Sequence, residues 1–419
     1  MSRKILLGIA VLGLAFSLRA APALAAAPKA AKPPVVKVNK DQLIKDVLPL
    51  FIKVYGNNPT ESEKTWWRKR ISCGELTSDA AIVSSMQFHK QKKVRIGSDD
   101  ICGGTAKKSS GSSGSVSAHS IDGIDTHPNG AVVRIGIYHT TGSAIHVTAD
   151  GEFTIRSGDS VIGKVGKDDD VAVSWSEGKY HVRGSGLNND PKEPVRFAPV
   201  SSHTIMKIAS YSDPSKTYPG KNYNRFRGVI EIRKCDNCNE LWAINELRTE
   251  QYLYGLGETS GDGPEEYLKA LVVAARTYVL YHHAVTGERA PNKGFDITNT
   301  DTDQIYRGYE HEIIAPRLAD MVNATRGIIV TNSSGDTPVV TIYFSDSDGR
   351  TRSAEEIFHT KRFPWLQSVP DPYHSSSICL GHCVGMSAQG AYGFAKKENW
   401  DFKKILNYYY KDIRLVKAY

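Results

Sequence analysis

Glu258 stands between glycines in LYGLGETSGDGP, six residues before Pro264. A carboxyl group on such a segment can give and take protons, yet a lone loop glutamate reads first as a solvated surface group. Downstream, Lys269 and Arg276 share one face of the otherwise apolar helical stretch PEEYLKALVVAARTYVLYHH. Cations there must reach water, pair with carboxylates or face an anionic ligand, because an unpaired buried charge is very costly. The pattern alone leaves a solvated edge and an anion site equally open. A glycine-rich run, GHCVGMSAQGAYGFA, sets His382 beside Cys383. Its glycines permit positive φ and close backbone approach, which suits a loop lining a cleft, with His382 as either a substrate contact or a structural hydrogen-bonding residue. Six cysteines, Cys73, Cys102, Cys235, Cys238, Cys379 and Cys383, fall into three neighbouring couples. They could form three disulfides, or Cys235, Cys238, Cys379, His382 and Cys383 could supply a tetrahedral zinc set.

The start of the chain bears on that choice. Ser2-Arg3-Lys4, an apolar run over residues 5–18 and Ala23-Leu24-Ala25 have the pattern of a signal peptide cleaved after Ala25. No other stretch is long and apolar enough to span a membrane, so the expected mature protein is secreted or cell-wall associated and has no transmembrane helix. Outside the cytosol disulfides are favoured over zinc, with no metal or cofactor expected. With 40% hydrophobic and 23% charged residues among 419, the chain is long and apolar enough for folded domains. Its formal net charge of +8 suits an anionic cell-wall polymer as partner, and nucleic acid is not expected.

The elements that must position these residues are α+β. Residues 26–40 form an Ala, Lys and Pro-rich spacer, and residues 41–102 show helical spacing expected for a small module stapled by Cys73 and Cys102. Residues 103–130 are a Gly/Ser-rich linker. Residues 131–225 alternate in short runs broken by Gly, Asp and Asn, which predicts β-hairpins. Residues 226–419 mix helices with strands, among them TPVVTIYFSD, and Pro264 is expected at the first position of the helix that carries Lys269 and Arg276. CDNC falls at a hairpin turn.

Six blocks in order, LRTEQYLYGLGE, EEYLKALVVAARTY, FDITNTDTDQIYRG, NATRGIIVT, YFSDSDGRTRSAEE and GHCVGMSAQGAYGFAKK, resemble the sporulation protein D and amidase-enhancer (SpoIID/LytB) family. The resemblance spans residues 132–410 and is strongest from 226 onward. It implies a peptidoglycan-active domain: a lytic transglycosylase that cleaves glycan strands, or, as the alternative, a non-catalytic wall-binding module that activates a cell-wall amidase. Glu258 occupies the position of the family's essential glutamate. Lys269, Arg276, His382, Gly385 and Ser387 match motifs whose implied role is substrate binding. A single glutamate suffices for a lytic transglycosylase, because N-acetylmuramic acid attacks its own anomeric carbon through its 6-hydroxyl.

The chain departs from the family where Thr259 and Ser260 replace Met and Pro, Phe344 replaces a histidine, and Cys383 replaces a glycine. FDITNTDTDQIYRG contains none of the Cys or His residues through which some members bind zinc. Ser387 also reads as a helix cap, since its surroundings have one residue too many for a nucleophile elbow. Asp346-Ser347-Asp348-Gly349 reads as a turn and not a calcium loop, because Phe344 takes the first ligand position. A Cys383–His382 catalytic pair is disfavoured because neighbours in sequence cannot readily bring imidazole to sulfur.

Overall fold

The computed structural model describes residue 121, residues 124–287 and residues 292–419. The expected signal segment, spacer, helical module, most of the linker and the Cys73–Cys102 pairing lie outside the described residues.

The alternating runs form hairpins because buried and solvent-facing residues take turns along each strand. β1 (Val132–Thr140), β2 (Ile145–Ala149), β3 (Phe153–Ser157) and β4 (Ser160–Val165) come first. β5 (Val171–Ser176) and β6 (Lys179–Gly184) follow, joined through Glu177 and Gly178, both at positive φ as a tight hairpin turn demands. β7 (Leu187–Asn189), β8 (Val195–Pro199), β9 (Met206–Ile208), β10 (Arg225–Phe226), β11 (Val229–Lys234), β12 (Leu241–Arg248) and β13 (Ile297–Thr298) complete two sheets. One has the order β13-β1-β12-β11-β8-β3-β4, the other β10-β9-β2-β5-β6-β7. The first sheet runs across residue 225, so the hairpin-rich part and the mixed part share one sheet.

β12 leads directly into α1 (Thr249–Tyr254), and after the Glu258 loop comes α2 (Glu265–Ala284). Pro264 lies one position outside α2, with φ −61° and ψ 136°, and its carbonyl accepts from Leu268 N–H at 3.1 Å. Glu265 and Glu266 in the first turn and His282 and His283 in the last suit the helix dipole. Most of α2 is buried in a core that takes in apolar residues of both sheets. Around it lie α3 (Gly308–Ile314), α4 (Pro316–Ala324), β14 (Ile328–Thr331), β15 (Tyr343–Phe344), α5 (Ala354–Phe358), β16 (Met386–Ser387), α6 (Ala388–Lys397), α7 (Phe402–Tyr409) and β17 (Arg414–Lys417).

TPVVTIYFSD contributes the two residues of β15 to a ladder, and Pro338 and Asp346 to isolated bridges with Thr331 and Leu380. Side chains add to these backbone bonds: Trp365 Nε1 donates to the Val340 carbonyl at 2.9 Å, and Tyr410 Oη donates at 2.9 Å to the Ile342 carbonyl, which also accepts from Met386 N–H at 3.2 Å. Thr341 Oγ1 in turn bonds the Ala274 carbonyl of α2 at 2.7 Å, which fixes the segment against the helix.

Candidate active site

The glutamate loop is held against residues 305–307 as a short piece of antiparallel ladder. Gly257 N–H donates to the Ile305 carbonyl at 2.7 Å and Arg307 N–H to that of Gly255 at 2.8 Å. Glu258 Oε1 then accepts from Ile305 N–H at 2.7 Å. A side chain at Gly257 would stand 2.5 Å from Arg307 Cγ and 2.9 Å from Ile305 Cγ2, so glycine permits this close pairing. Two more contacts pin the loop: His311 Nε2 donates to the Thr259 carbonyl at 2.8 Å, and Arg317 bonds the carbonyls of Gly261 and Gly263, each at 3.2 Å.

Burial pushes the Glu258 carboxyl up from 4.5 to about 7, against the Ile305 N–H, the Arg307 cation and the Tyr343 hydroxyl, which favour its charged form. Tyr343 is set for that bond by a buried relay: Tyr252 Oη donates to Gln304 Oε1 at 2.8 Å, and Gln304 Nε2 donates to Tyr343 Oη at 3.0 Å. The Tyr343 proton is then left to point at Glu258. Burial raises the phenols of Tyr252, Tyr267 and Tyr343, with Tyr267 at about 12, so all three keep their protons beside the carboxylate.

A carboxyl raised on folding binds its proton more tightly in the folded than in the unfolded protein. Its stabilising contribution is complete below the ordinary value of 4.5 and is lost as pH rises to about 7. Glu258→Gln has no charge to bury and keeps an acceptor for Ile305. The variant is expected to match the wild type near pH 5 and to exceed it by about 1–3 kcal/mol near pH 8, as urea unfolding at the two pH values will check.

Beside this carboxyl lies a cavity of about 480 Å³, whose walls include Ile137, Tyr211, Asp213, Asp301, Ile305 and Arg307. Glu258 is not itself in the wall, whereas Ile305, its hydrogen-bond donor, is. A register shift between Gly136 and Tyr138 of β1 accompanies the placement of Ile137 in the wall, and the parallel pairing of β13 with β1 delivers residues 299–301. Tyr211 and Asp213 come from the connection between β9 and β10.

Of the residues expected to bind substrate, Arg276 requires correction. It is 0% exposed in α2, with Nε and Nη2 on the Glu250 carboxylate at 2.8 and 2.9 Å and further bonds to Thr325, Ile328 and Val322. It is a core cation saturated by protein groups. Lys269 pairs with Glu266 at 2.6 Å in the first turns of the helix. Gly385, at φ +83°, is required by packing: a side chain there would lie 2.1 Å from the Ile342 carbonyl oxygen. Ser387 is buried and caps α6, its Oγ accepting from Gly390 N–H at 3.0 Å. His382 takes the Val384 N–H on Nδ1 at 3.1 Å and bonds the Tyr343 backbone, while burial lowers its pKa. Gly385 and Ser387 thus shape the segment paired with β15, and His382 braces the strand that carries Tyr343.

Gln304, Arg307 and Tyr343 lay within the blocks that carry the family resemblance, which was the available signal for them. Tyr211, Asp213 and His311 had none.

Cys235 pairs with Cys238 and Cys379 with Cys383 as disulfides, the first at the turn between β11 and β12. Among the described residues one group has metal-ligand spacing, Cys235, Cys238 and Glu240, and it includes none of Cys379, His382 and Cys383. Its sulfur atoms are joined to each other, and Glu240 is engaged by Lys293 at 2.7 Å and Trp242 Nε1 at 2.8 Å, so the donor set does not fit zinc. A hydrogen-bonded row, Ser176 to His181 at 2.7 Å and His181 to Asp190 at 2.8 Å, crosses β5, β6 and the residue after β7. Asp190 is shared with Arg183 and Lys179, and the row lines no part of the cavity beside Glu258.

Fold and site define an α+β protein in which one half-buried, protonatable carboxyl adjoins a cavity lined largely by polar residues. Residues 237–332 match the family described as Stage II sporulation protein, which supports assignment of this part of the chain to the sporulation protein D family. It is 38% identical over 129 residues to an uncharacterised protein of Brachyspira hyodysenteriae, covering 30% of this chain and 33% of that one. It is 27% identical over 206 residues to the stage II sporulation protein D of Bacillus amyloliquefaciens, covering 46% of this chain and 54% of the relative. The chain thus spans between a third and about half of the curated relatives it matches.

Proposed function

We propose that the protein acts at the cell wall, secreted or wall-associated, and cleaves peptidoglycan glycan strands as a lytic transglycosylase. The observation that carries this reading is the Glu258 carboxyl, raised to about 7 beside a cavity lined by polar groups. Glu258 donates its proton to the glycosidic oxygen, and the bond from that oxygen to the anomeric carbon of N-acetylmuramic acid breaks. The sugar's own 6-hydroxyl oxygen then bonds to the anomeric carbon, and its proton returns to Glu258. No water is consumed. The Ile305 N–H and the Tyr343 hydroxyl hold the carboxylate while it lacks the proton. Among the described residues no helix is long and apolar enough to cross a membrane.

Mass spectrometry of digested peptidoglycan tests this, with anhydro-muramyl ends as the expected product. Because the acid must be protonated at the start, the rate is expected to fall about tenfold per pH unit above about 7. Asp301 supports a second reading: its exposed carboxylate lines the same cavity and could direct water in a hydrolysis. Reducing ends in place of anhydro ends, lost in Asp301→Asn, would decide for that reading.

A further inference from the structure

With Arg276 in the core and Lys269 paired to Glu266, the cleft needs another cation if it is to recognise an acidic glycan. We propose that Arg307 is the specificity-determining residue, taking a carboxylate carried by the sugar beside the scissile bond on the open edge of its guanidinium, and that Asp213, held on Nη1, opposes that carboxylate by its own charge. The inference rests on reading the Glu258 cleft as a glycan site.

Arg307 and Ile305 both line the cavity, two residues apart on the segment that pairs with the glutamate loop, so the cation and the Glu258 anchor share one wall. The saturation of its guanidinium is the distinguishing feature. Arg227 meets Glu312 through Nε and Nη2, both at 2.7 Å, and Arg276 meets Glu250 through the same two nitrogens. Arg307 meets Asp213 through Nη1 alone. Its Nε and Nη2 have no protein acceptor among the described residues, leaving one edge of the fork open to a planar carboxylate. The group lies over the Tyr223 ring, 5.1 Å from its centre, which limits its freedom before a ligand arrives. Asp213 is itself held, its N–H on Asn222 Oδ1 at 2.8 Å and its Oδ2 accepting from Tyr211 Oη at 3.2 Å. A carboxylate already on Nη1 repels an incoming one and partly neutralises the cation it would meet, so its removal has the opposite effect to removal of Arg307.

The carboxylate could be the lactyl group of a muramic acid freed of its peptide, or one on a stem peptide. Binding is measured on a Glu258→Gln background, so that cleavage does not intervene, with amidase-stripped glycan fragments, the same fragments methyl-esterified, and intact peptide-bearing fragments. Arg307→Gln is expected to lose about tenfold in affinity for the carboxylate form and nothing for the ester, whereas Asp213→Asn gains several-fold for the carboxylate form alone. Preference for stripped or for intact fragments identifies the source. An equal loss on acid and ester, or no gain in Asp213→Asn, overturns the assignment. If the wild type releases no glycan fragments but this discrimination holds, the acid reading of Glu258 fails while Arg307 keeps its role.

Discussion

Arg276→Met is expected to destabilise the fold by about 3–5 kcal/mol, because it removes one partner of a fully buried ion pair and leaves the other charge behind. Glu250 cannot turn to water. It is fixed by Gly327 N–H at 3.2 Å and Tyr419 Oη at 2.6 Å as well as by Arg276. Without the guanidinium its carboxyl must take up a proton or stay charged in the core, and the carbonyls of Val322 and Ile328 lose a donor. Denaturant unfolding of Arg276→Met, Glu250→Gln and the double variant checks this: the double variant should be much less destabilised than the sum of the two single changes. A residue that instead held an anionic substrate would lose ligand affinity on replacement with stability unchanged. The distinction matters because the same arginine, seen only in sequence, sits in a motif whose implied role is binding.

The second large effect concerns chemistry. Glu258→Gln is expected to slow release of anhydro-muramyl fragments by about 10²–10⁴-fold while wall binding is retained. The amide can still accept the Ile305 hydrogen bond, so the loop keeps its shape, but it has no proton to give at neutral pH. Comparison with the pH-dependent stability gain of the same variant makes the result diagnostic. A gain in stability at high pH together with a loss of product identifies a carboxyl whose burial is used for acid catalysis. If wild type and variant both bind wall and neither releases fragments, the protein is the amidase-activating module instead.

Much of the molecule was legible in its sequence because the relevant physics is short-range along the chain. Alternation over a few residues called the hairpins, and the Glu177-Gly178 turn has the positive φ values such turns need. Pro264, expected at the first position of α2, marked the start of that helix to within one residue. The close approach expected of the glycines in GHCVGMSAQGAYGFA is seen at Gly393, where a side chain would stand 2.1 Å from Tyr373 Cβ. The order of the blocks singled out Glu258. What tertiary structure alone decided is the electrostatic state of these residues. Whether a cation on an apolar helix meets solvent, ligand or carboxylate depends on what folds against it, and for Arg276 the answer was Glu250. Glu258 is bound by Ile305, 47 residues on, and Arg307 by Asp213, 94 residues back. Burial raises the first carboxyl, and a neighbouring guanidinium opposes that rise. Both effects depend on distances through space, and periodicity along the sequence carries no information about them.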